Sequence, residues 1–404
     1  MVTRPLSGIR VLDLTQFLSG PFATQMLADL GADVIKLEAP GGDNTRSVAP
    51  HFVNGESCYY LSINRNKRCV AVDMKVPAGR EVVKKLALQS DIVMENFRPG
   101  VLDRLGLSAE ALRKEKPSLI WCSISGFGQN GPYRNKPAYD MIVQALSGGM
   151  SLTGEWGGAP VRAGIPIGDL AAGLYANVAA LAALNRRHAT GKGDTIDISM
   201  LDCQVAMLCY QAAYYLHSGE VPGRQGRGHA SIPTYRSFEA KDGIHIVMTA
   251  NTERMWQGVA RVLGLEKLIS DPRFLTNAER LQNKDALWPM LEEAFRTRNA
   301  EEWIPLLEAE EIPVGVVNPL DRAMKDPQVL HRQMVLDLEG ENGERARVTG
   351  NPMKFSDTPP EERNYPHALG ADTAAVLKEV LGLSSEQIAE LVRTKAVVAG
   401  DVRR

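Results

Sequence analysis

Strand-like and helix-like stretches alternate from the start of this chain, and the alternation restricts its fold more than any single motif does. Residues 9–14 are an apolar strand candidate, 21–30 carry helical spacing and 32–37 form a second strand candidate. The rhythm recurs at 69–72 (strand), 78–89 (helix), 91–95 (strand), 108–114 (helix) and 119–125 (strand). Repeated strand-helix-strand units predict an α/β fold with a mostly parallel sheet and helices on both faces.

Further along come a long apolar helix, the glycine turn "TGKGD", a strand at "TIDISM" and one helical segment over 201–217. "SGEVPGRQGRGHASIP" then breaks the pattern with Gly, Pro and Arg, which sets a domain boundary. The strands "GIHIVMTA" and "IPVGVV", with helices over 253–263, 285–296 and 301–310, compose a smaller α+β unit. The expected division is therefore a large domain, residues 1–218, followed by a linker and small domain, residues 219–330. The tail "GADTAAVLKEVLGLSSEQIAELV" reads as two amphipathic helices, with Ser384 and Glu386 as capping candidates for the second.

Charge narrows the partners. Forty-six basic residues against 48 acidic give a net charge of -2, so no overall field attracts nucleic acid or anionic lipid, and a small-molecule partner is expected. The opening "MVTRPLSGIRVLDL" lacks the long apolar region of a signal peptide, and the apolar helix after Asp169 reads as a buried core helix. Five cysteines with no C-x-x-C pair read as reduced thiols, which points to a cytoplasmic protein.

Three motifs mislead. "GFGQNG" fits G-x-G-x-x-G after a strand, but Pro132 and a polar run follow where a phosphate-holding helix is required. Glu38 ends the second strand like a ribose-binding acid, yet without that loop it reads as a capping or ion-pair residue. "TGKGD" lacks the rest of a phosphate loop and reads as a tight helix-to-strand turn. The seven histidines show no metal-ligand spacing, so no metal is expected. No G-x-S-x-G elbow occurs.

What remains is a carboxylate. In "GIPIGDLAAGLYA", residues 164–176, Asp169 stands alone between apolar, glycine-bearing stretches. Asp is a favoured helix N-cap, worth about 0.5–2 kcal/mol, and Leu170, Leu174, Val178, Leu181 and Leu184 follow at near-helical spacing. The same position suits a nucleophile: a helix start favours an ionised carboxylate, and glycine lets a ligand approach. Ile165, Pro166, Ile167 and Leu170 supply the apolar wall such a weak nucleophile needs.

Several ordered stretches resemble the family III coenzyme A transferases, the group that includes formyl-CoA transferase, carnitine CoA-transferase and α-methylacyl-CoA racemase. They are "LSGIRVLDLTQFLSGPFATQMLADLGADVIKLEAPGGDNTR", "NRNKRCVAVDMK", "ENFRPGVLDRLGL", "GFGQNGPYRNKPAYDMIVQALSGGMSLTG" and "GDLAAGLYA". The resemblance implies a Rossmann-like large domain, a small domain, a tail (residues 331–404) returning to the large domain, and two subunits interlocked as a homodimer. It implies that Asp169 is the nucleophile, forming an aspartyl mixed anhydride and then an aspartyl-CoA thioester, with no tightly bound cofactor and coenzyme A entering as substrate. The positions matching the family's CoA contacts are Leu18, Ser19, Val72, Met74, Lys75, Asn96, Phe97, Arg104 and Tyr139. Lys75 and Arg104 suit phosphate, Phe97 an apolar face, and the Leu18 and Ser19 amides the reacting carbonyl.

Racemases of the family carry His-Asp where this chain has Tyr139 and Asp140, and tyrosine, with a reference pKa near 10, is poorly matched to that proton transfer. The expectation is a transferase. A racemase and a non-catalytic CoA-binding protein are the alternatives. The formyl-CoA transferase branch has glutamine, arginine and lysine where Leu18, Ala39 and Pro137 stand, which argues against oxalate. Arg46, Arg162, Arg224 and Arg227 are candidates to pair with a second carboxylate, so succinyl-CoA and other dicarboxylates fit, and "GRQGRGH" is a candidate lid.

Overall fold

The computed structural model describes residues 4–340, 343–358 and 363–400; residues 1–3 of the expected large domain and 341–342, 359–362 and 401–404 of its tail lie outside the described residues. Met1–Gly149, Arg162–Gly219 and Gln328–Arg404 form one compact unit, and Met150–Val161 with Glu220–Pro327 form another. The 150–161 segment joins the smaller unit, a long-range exchange with no signature in local periodicity.

In the larger unit, strands β1 (Arg10–Asp13), β2 (Asp33–Glu38), β3 (Arg68–Val72), β4 (Ile92–Glu95), β5 (Ile120–Ser125), β6 (Thr195–Ser199) and β7 (Val397–Val398) form one sheet. Its order is β7-β3-β2-β1-β4-β5-β6, parallel except where β7 pairs antiparallel with β3. Side chains alternate between faces along each strand, so two cores result. Val11, Val34, Ile92, Met94 and Ile120 pack on helices α1 (Ser19–Asp29) and α5 (Ile167–Thr190). Leu12, Ile35, Val70, Val93 and Trp121 face the other way, onto α2 (Pro77–Leu88), α3 (Ala109–Glu115) and the tail helices Thr373–Leu381 and Ser385–Arg393.

Glycine sets the contact between α1 and α5. A Cβ on Gly173 would stand 2.7 Å from the Ser19 carbonyl oxygen and 3.0 Å from the Phe22 ring, so any larger residue pushes the helices apart. Asn177 reinforces the contact by donating to the Ala23 carbonyl at 3.0 Å. Of the described helices, α5 alone is long and apolar enough to cross a membrane, and half of its apolar window is buried in the fold.

Elsewhere the sequence pattern needs amendment. The helical segment expected over 201–217 is two helices, Met200–Met207 and Tyr210–Ser218, because the ladder tightens at Leu208 and Cys209 turns to φ +48°. The second tail helix is capped by Ser384 reciprocally with Gln387, while Glu386 stands in its first turn. Glu38 is an ion-pair residue, held by Arg46 at 2.8 Å. The loop at "GFGQNG" leads into no helix start; its backbone donates to Ser125 and Asp197. The smaller unit pairs Val314–Val316, His245–Met248 and Arg236–Glu239 antiparallel, over a core that includes Phe238, Trp256, Phe295 and Trp303.

Candidate active site

The chain leaves β1 in one direction through β2 and β3, then returns to its other side for β4, β5 and β6. In an open parallel sheet the ligand crevice lies outside the carboxyl ends of the strands at this reversal, here β1 and β4. Asn96 follows β4 and clasps the loop that follows β1, accepting from the Gln16 N–H at 2.8 Å and donating to the Gln16 carbonyl at 2.7 Å. The next residue, Phe17, is held at φ +62°, a region costly for a bulky side chain.

Below that loop lies a buried ionic network. Asp13 accepts from Thr15, from Thr24 at 2.6 Å and from Lys67 at 3.1 Å, while Lys36 bonds the Thr15 carbonyl and Asp43, each at 3.0 Å. Burial raises the Asp13 pKa, but Lys67, Lys36 and the two threonine hydroxyls overcome it and hold the carboxyl below its usual range. The network carries charge to hold a backbone in place, and sequence periodicity gave no sign of it.

Asp169 lies in the first turn of α5, but it is not the cap. The N-cap residue is Pro166, which has no side chain able to accept, and the capping oxygen comes from another helix. Asp140, at the start of helix α4 (Asp140–Leu146), accepts from the Gly168 N–H at 2.8 Å and from the Gln144 amide at 2.7 Å. Gly168 permits this approach: a Cβ there would meet Val143 at 2.8 Å and Asp140 Oδ1 at 3.0 Å. With the cap supplied by Asp140, the Asp169 carboxyl is left to the influence of Ser19, the first residue of α1.

Burial, followed by the Asp140 charge, raises the Asp169 pKa from 3.8 to about 7, with the Ser19 hydrogen bond opposing. Tyr59 shares this field: burial, then the charges of Asp169, Asp43 and Asp140, push its phenol up to about 12, so it stays a neutral donor. The first N–H groups of α1, at Ser19 and beyond, have no intrahelical acceptors, and no side chain caps them. A buried carboxyl and a set of backbone donors thus share one helix-helix contact.

The remaining sequence candidates divide by placement. Tyr139, the N-cap residue of α4, is 67% exposed, and its ring meets Phe17 edge-on with centroids 6.0 Å apart. Leu18 and Ser19 are buried where α1 begins. Val72 is fully buried in β3, and Met74 and Phe97 pack partly against the same core. Lys75 and Arg104 are exposed. Arg104 and Arg134 converge over Gly100, their terminal nitrogens 3.3 and 3.7 Å from where its Cβ would lie. Arg46 is consumed by Glu38, Glu56 and Tyr60, which corrects its candidacy for a second carboxylate. Sequence reasoning missed Arg134, Tyr59 and the capping role of Asp140, since each depends on segments far apart in the chain. Among the described residues, no group of three or more His, Cys, Asp or Glu is arranged to hold a metal.

The larger unit is an open α/β sheet of Rossmann order with a buried aspartate of raised pKa at a helix start. Residues 6–373 match CoA-transferase family III, and the chain belongs to that family as an acyl-CoA:carboxylate CoA-transferase. It is 41% identical over 395 residues to the human succinyl-CoA:glutarate CoA-transferase, covering 98% of this chain and 90% of that protein. With succinate–glutarate CoA-transferase of Agrobacterium fabrum the identity is 39% over 383 residues, covering 93% and 96%. A crystal structure of a CAIB/BAIF family protein from Brucella suis matches with a TM-score of 0.84 and 36% identity, covering 94% of this chain and all of that one.

Proposed function

We propose that Asp169 is the covalent nucleophile of a transferase that exchanges CoA between dicarboxylates, with succinyl-CoA as donor and glutarate as acceptor. The observation that carries the reading is the position of Asp169, relieved of capping by Asp140 and raised to a pKa of about 7. Near neutrality such a carboxyl is substantially ionised, yet it is more basic than an exposed aspartate and so a better nucleophile. The named relatives supply the substrate class.

The Asp169 carboxylate attacks the thioester carbonyl, the C–S bond breaks, and CoA leaves as thiolate with an aspartyl-acyl anhydride formed. The thiolate then attacks the aspartyl carbonyl, releasing the donor acid as carboxylate and leaving an aspartyl-CoA thioester. The acceptor carboxylate attacks that thioester, forming a second anhydride and freeing the thiolate. Thiolate attack on the acceptor's carbonyl yields the new acyl-CoA and restores Asp169. Each tetrahedral oxyanion needs donors, and the Leu18 and Ser19 amides at the start of α1 serve. Lys75 and Arg104, joined by Arg134, offer cations for the CoA phosphates, and Val72, Met74, Phe97 and Tyr139 the walls around them. Asn96 acts through Gln16, holding the loop in place.

The chain acts as a homodimer in this reading. On α5, Leu174, Tyr175 and Val178 are exposed, the last by 66%, and on Tyr210–Ser218 so are Tyr214, Tyr215 and Leu216. Exposed apolar side chains on both helices of the larger unit call for a covering partner, and a second copy interlocked with the first provides one.

Asp169→Ala tests the mechanism. Transfer from succinyl-CoA to glutarate should fall at least ~10³-fold, and hydroxylamine added during turnover should modify Asp169 in the unaltered enzyme. Full activity in the variant, or an unmodified Asp169, refutes covalent catalysis.

A further inference from the structure

The smaller unit contains a cavity of its own, about 490 Å³, lined by the 220–230 segment, by Glu155 and Trp156 of the 150–161 segment, and by Lys284 and Trp288 of helix Lys284–Phe295. Its volume is in the range of small-molecule sites. Trp156 and Trp288 form one wall, with ring centroids 4.8 Å apart. Lys284 Nζ lies 5.1 and 5.4 Å from the two rings, and the Arg236 guanidinium lies 4.3 Å from that of Trp288.

The lining is cationic. It holds Arg224, Arg227, Arg236 and Lys284 against Glu155 and Glu220, an excess of two positive charges, of which Glu292 behind Arg236 takes one at 2.9 Å. Two donors stand idle: Nε of Arg224 and Nε of Arg236 are sealed from solvent with no hydrogen-bond partner, and Arg236 is only 8% exposed. Buried N–H groups are nearly always paired, because leaving one unmade is costly. A guanidinium stacked on an indole keeps its N–H edge free for an anion in its own plane.

We propose that this cavity binds a small organic acid, with a carboxylate paired to Arg224 and Arg236 and the carbon chain lying on Trp156 and Trp288. Inorganic phosphate or a CoA phosphate shares the anionic half of this chemistry, but neither brings methylene groups for the indole wall. The choice of a dicarboxylic acid as occupant rests on the transferase reading; the anion site does not.

Calorimetric titration of the full-length protein with glutarate, inorganic phosphate and CoA tests the assignment, with tryptophan fluorescence as a second readout. Glutarate should bind saturably and perturb the fluorescence, and Arg224→Gln should weaken it at least tenfold. Lys284→Met should weaken it severalfold and serves should Arg224→Gln melt early. Glutarate affinity unchanged in both variants, or no binding at all, overturns the site. Phosphate or CoA competing at equal or higher affinity through the same residues overturns the organic acid. Asp169→Asn separates the two readings: glutarate binding retained with transfer lost supports both, whereas full transfer in that variant refutes the nucleophile and leaves the binding result standing.

Discussion

Replacing Asp140 by Asn tests whether its charge tunes Asp169, the proposed nucleophile. The Asp169 pKa of about 7, against an ordinary 3.8, arises from burial first and from Asp140 second. Asparagine removes the charge while keeping an oxygen to accept the Gly168 N–H, now bonded at 2.8 Å. An opposite charge in close proximity moves a carboxyl pKa by about 1–3, and a like charge acts by the same law with the sign reversed; as the second of two causes, Asp140 is assigned about one. The Asp169 midpoint then drops from about 7 to about 6, and at pH 6 the ionised fraction rises from about one-tenth to about one-half. Measured as kcat/KM for succinyl-CoA between pH 5 and 9, which reports ionisations of the free enzyme, the acidic limb should move down by about one pH unit. Relative to its own plateau, the variant should be about fivefold more active at pH 6. The cost falls on Gln144, whose amide loses its 2.7 Å acceptor, and a loss of about 1 kcal/mol should appear in the melting temperature. A limb that stays in place or moves upward refutes the electrostatic argument. Asp140→Ala, which also removes the Gly168 acceptor, should lower activity across the whole range.

Two further outcomes follow from the carboxyl end of β4. Burial raises the Glu95 pKa from 4.5 to about 7, against hydrogen bonds from Ser123 and the Phe97 N–H. Between those values the folded state binds the extra proton, so the contribution of Glu95 is fully present below pH 4.5 and is lost as pH rises through 7, about 3 kcal/mol in all. Glu95→Gln should flatten that decline, and urea titrations at pH 5 and 8 should show the variant gaining on the parent at the higher pH; parallel profiles refute it. Asn96→Ala should free the loop at Gln16 and Phe17 and lower kcat about tenfold or more with a smaller change in KM. Asn96→Asp, able to accept from Gln16 but not to donate, should recover part of the loss. A purely structural role would instead lower the melting temperature and leave the kcat of the folded fraction unchanged.

The strands of the larger unit were legible because each is a short apolar run in a repeated unit: 32–37 against the observed Asp33–Glu38, and 119–125 against Ile120–Ser125. The strand Arg236–Glu239 and the hairpin Val335–Glu339 with Arg345–Thr349 were missed: each is short and buries only alternate residues, so none shows the continuous apolar run by which the parallel strands were found. Asp169 stood out as a lone acid at the start of an apolar helix, a setting that suits a cap and a nucleophile alike; only the family resemblance favoured the second, and the structure gives the cap to Asp140. Arg134 did not stand out, because its meeting with Arg104 joins the short helix Val101–Arg104 after β4 to a loop after β5. Local pattern reports which face a residue is on; it does not report which distant side chain shares that face.

The pair Tyr139–Asp140 bears on reaction class beyond what residue identity supplies. A base that removes the proton beside a thioester carbonyl must have a lone pair directed at substrate and a pKa near the working pH. Both oxygens of Asp140 already accept hydrogen bonds, from Gly168 and from Gln144, and protonating it would weaken the cap on the helix that carries Asp169. Tyr139 is exposed and packs edge-on against Phe17, with no carboxylate hydrogen-bonded to it among the described contacts. An imidazole at 139 would supply the missing acid-base group, yet Asp140 would still be committed to the cap. Tyr139→His alone should therefore leave transfer dominant, and deuterium uptake at the α-carbon of a branched acyl-CoA should stay at background. Rapid uptake in that single variant would show that the identity of residue 139, and not the commitment of Asp140, separates the two reactions.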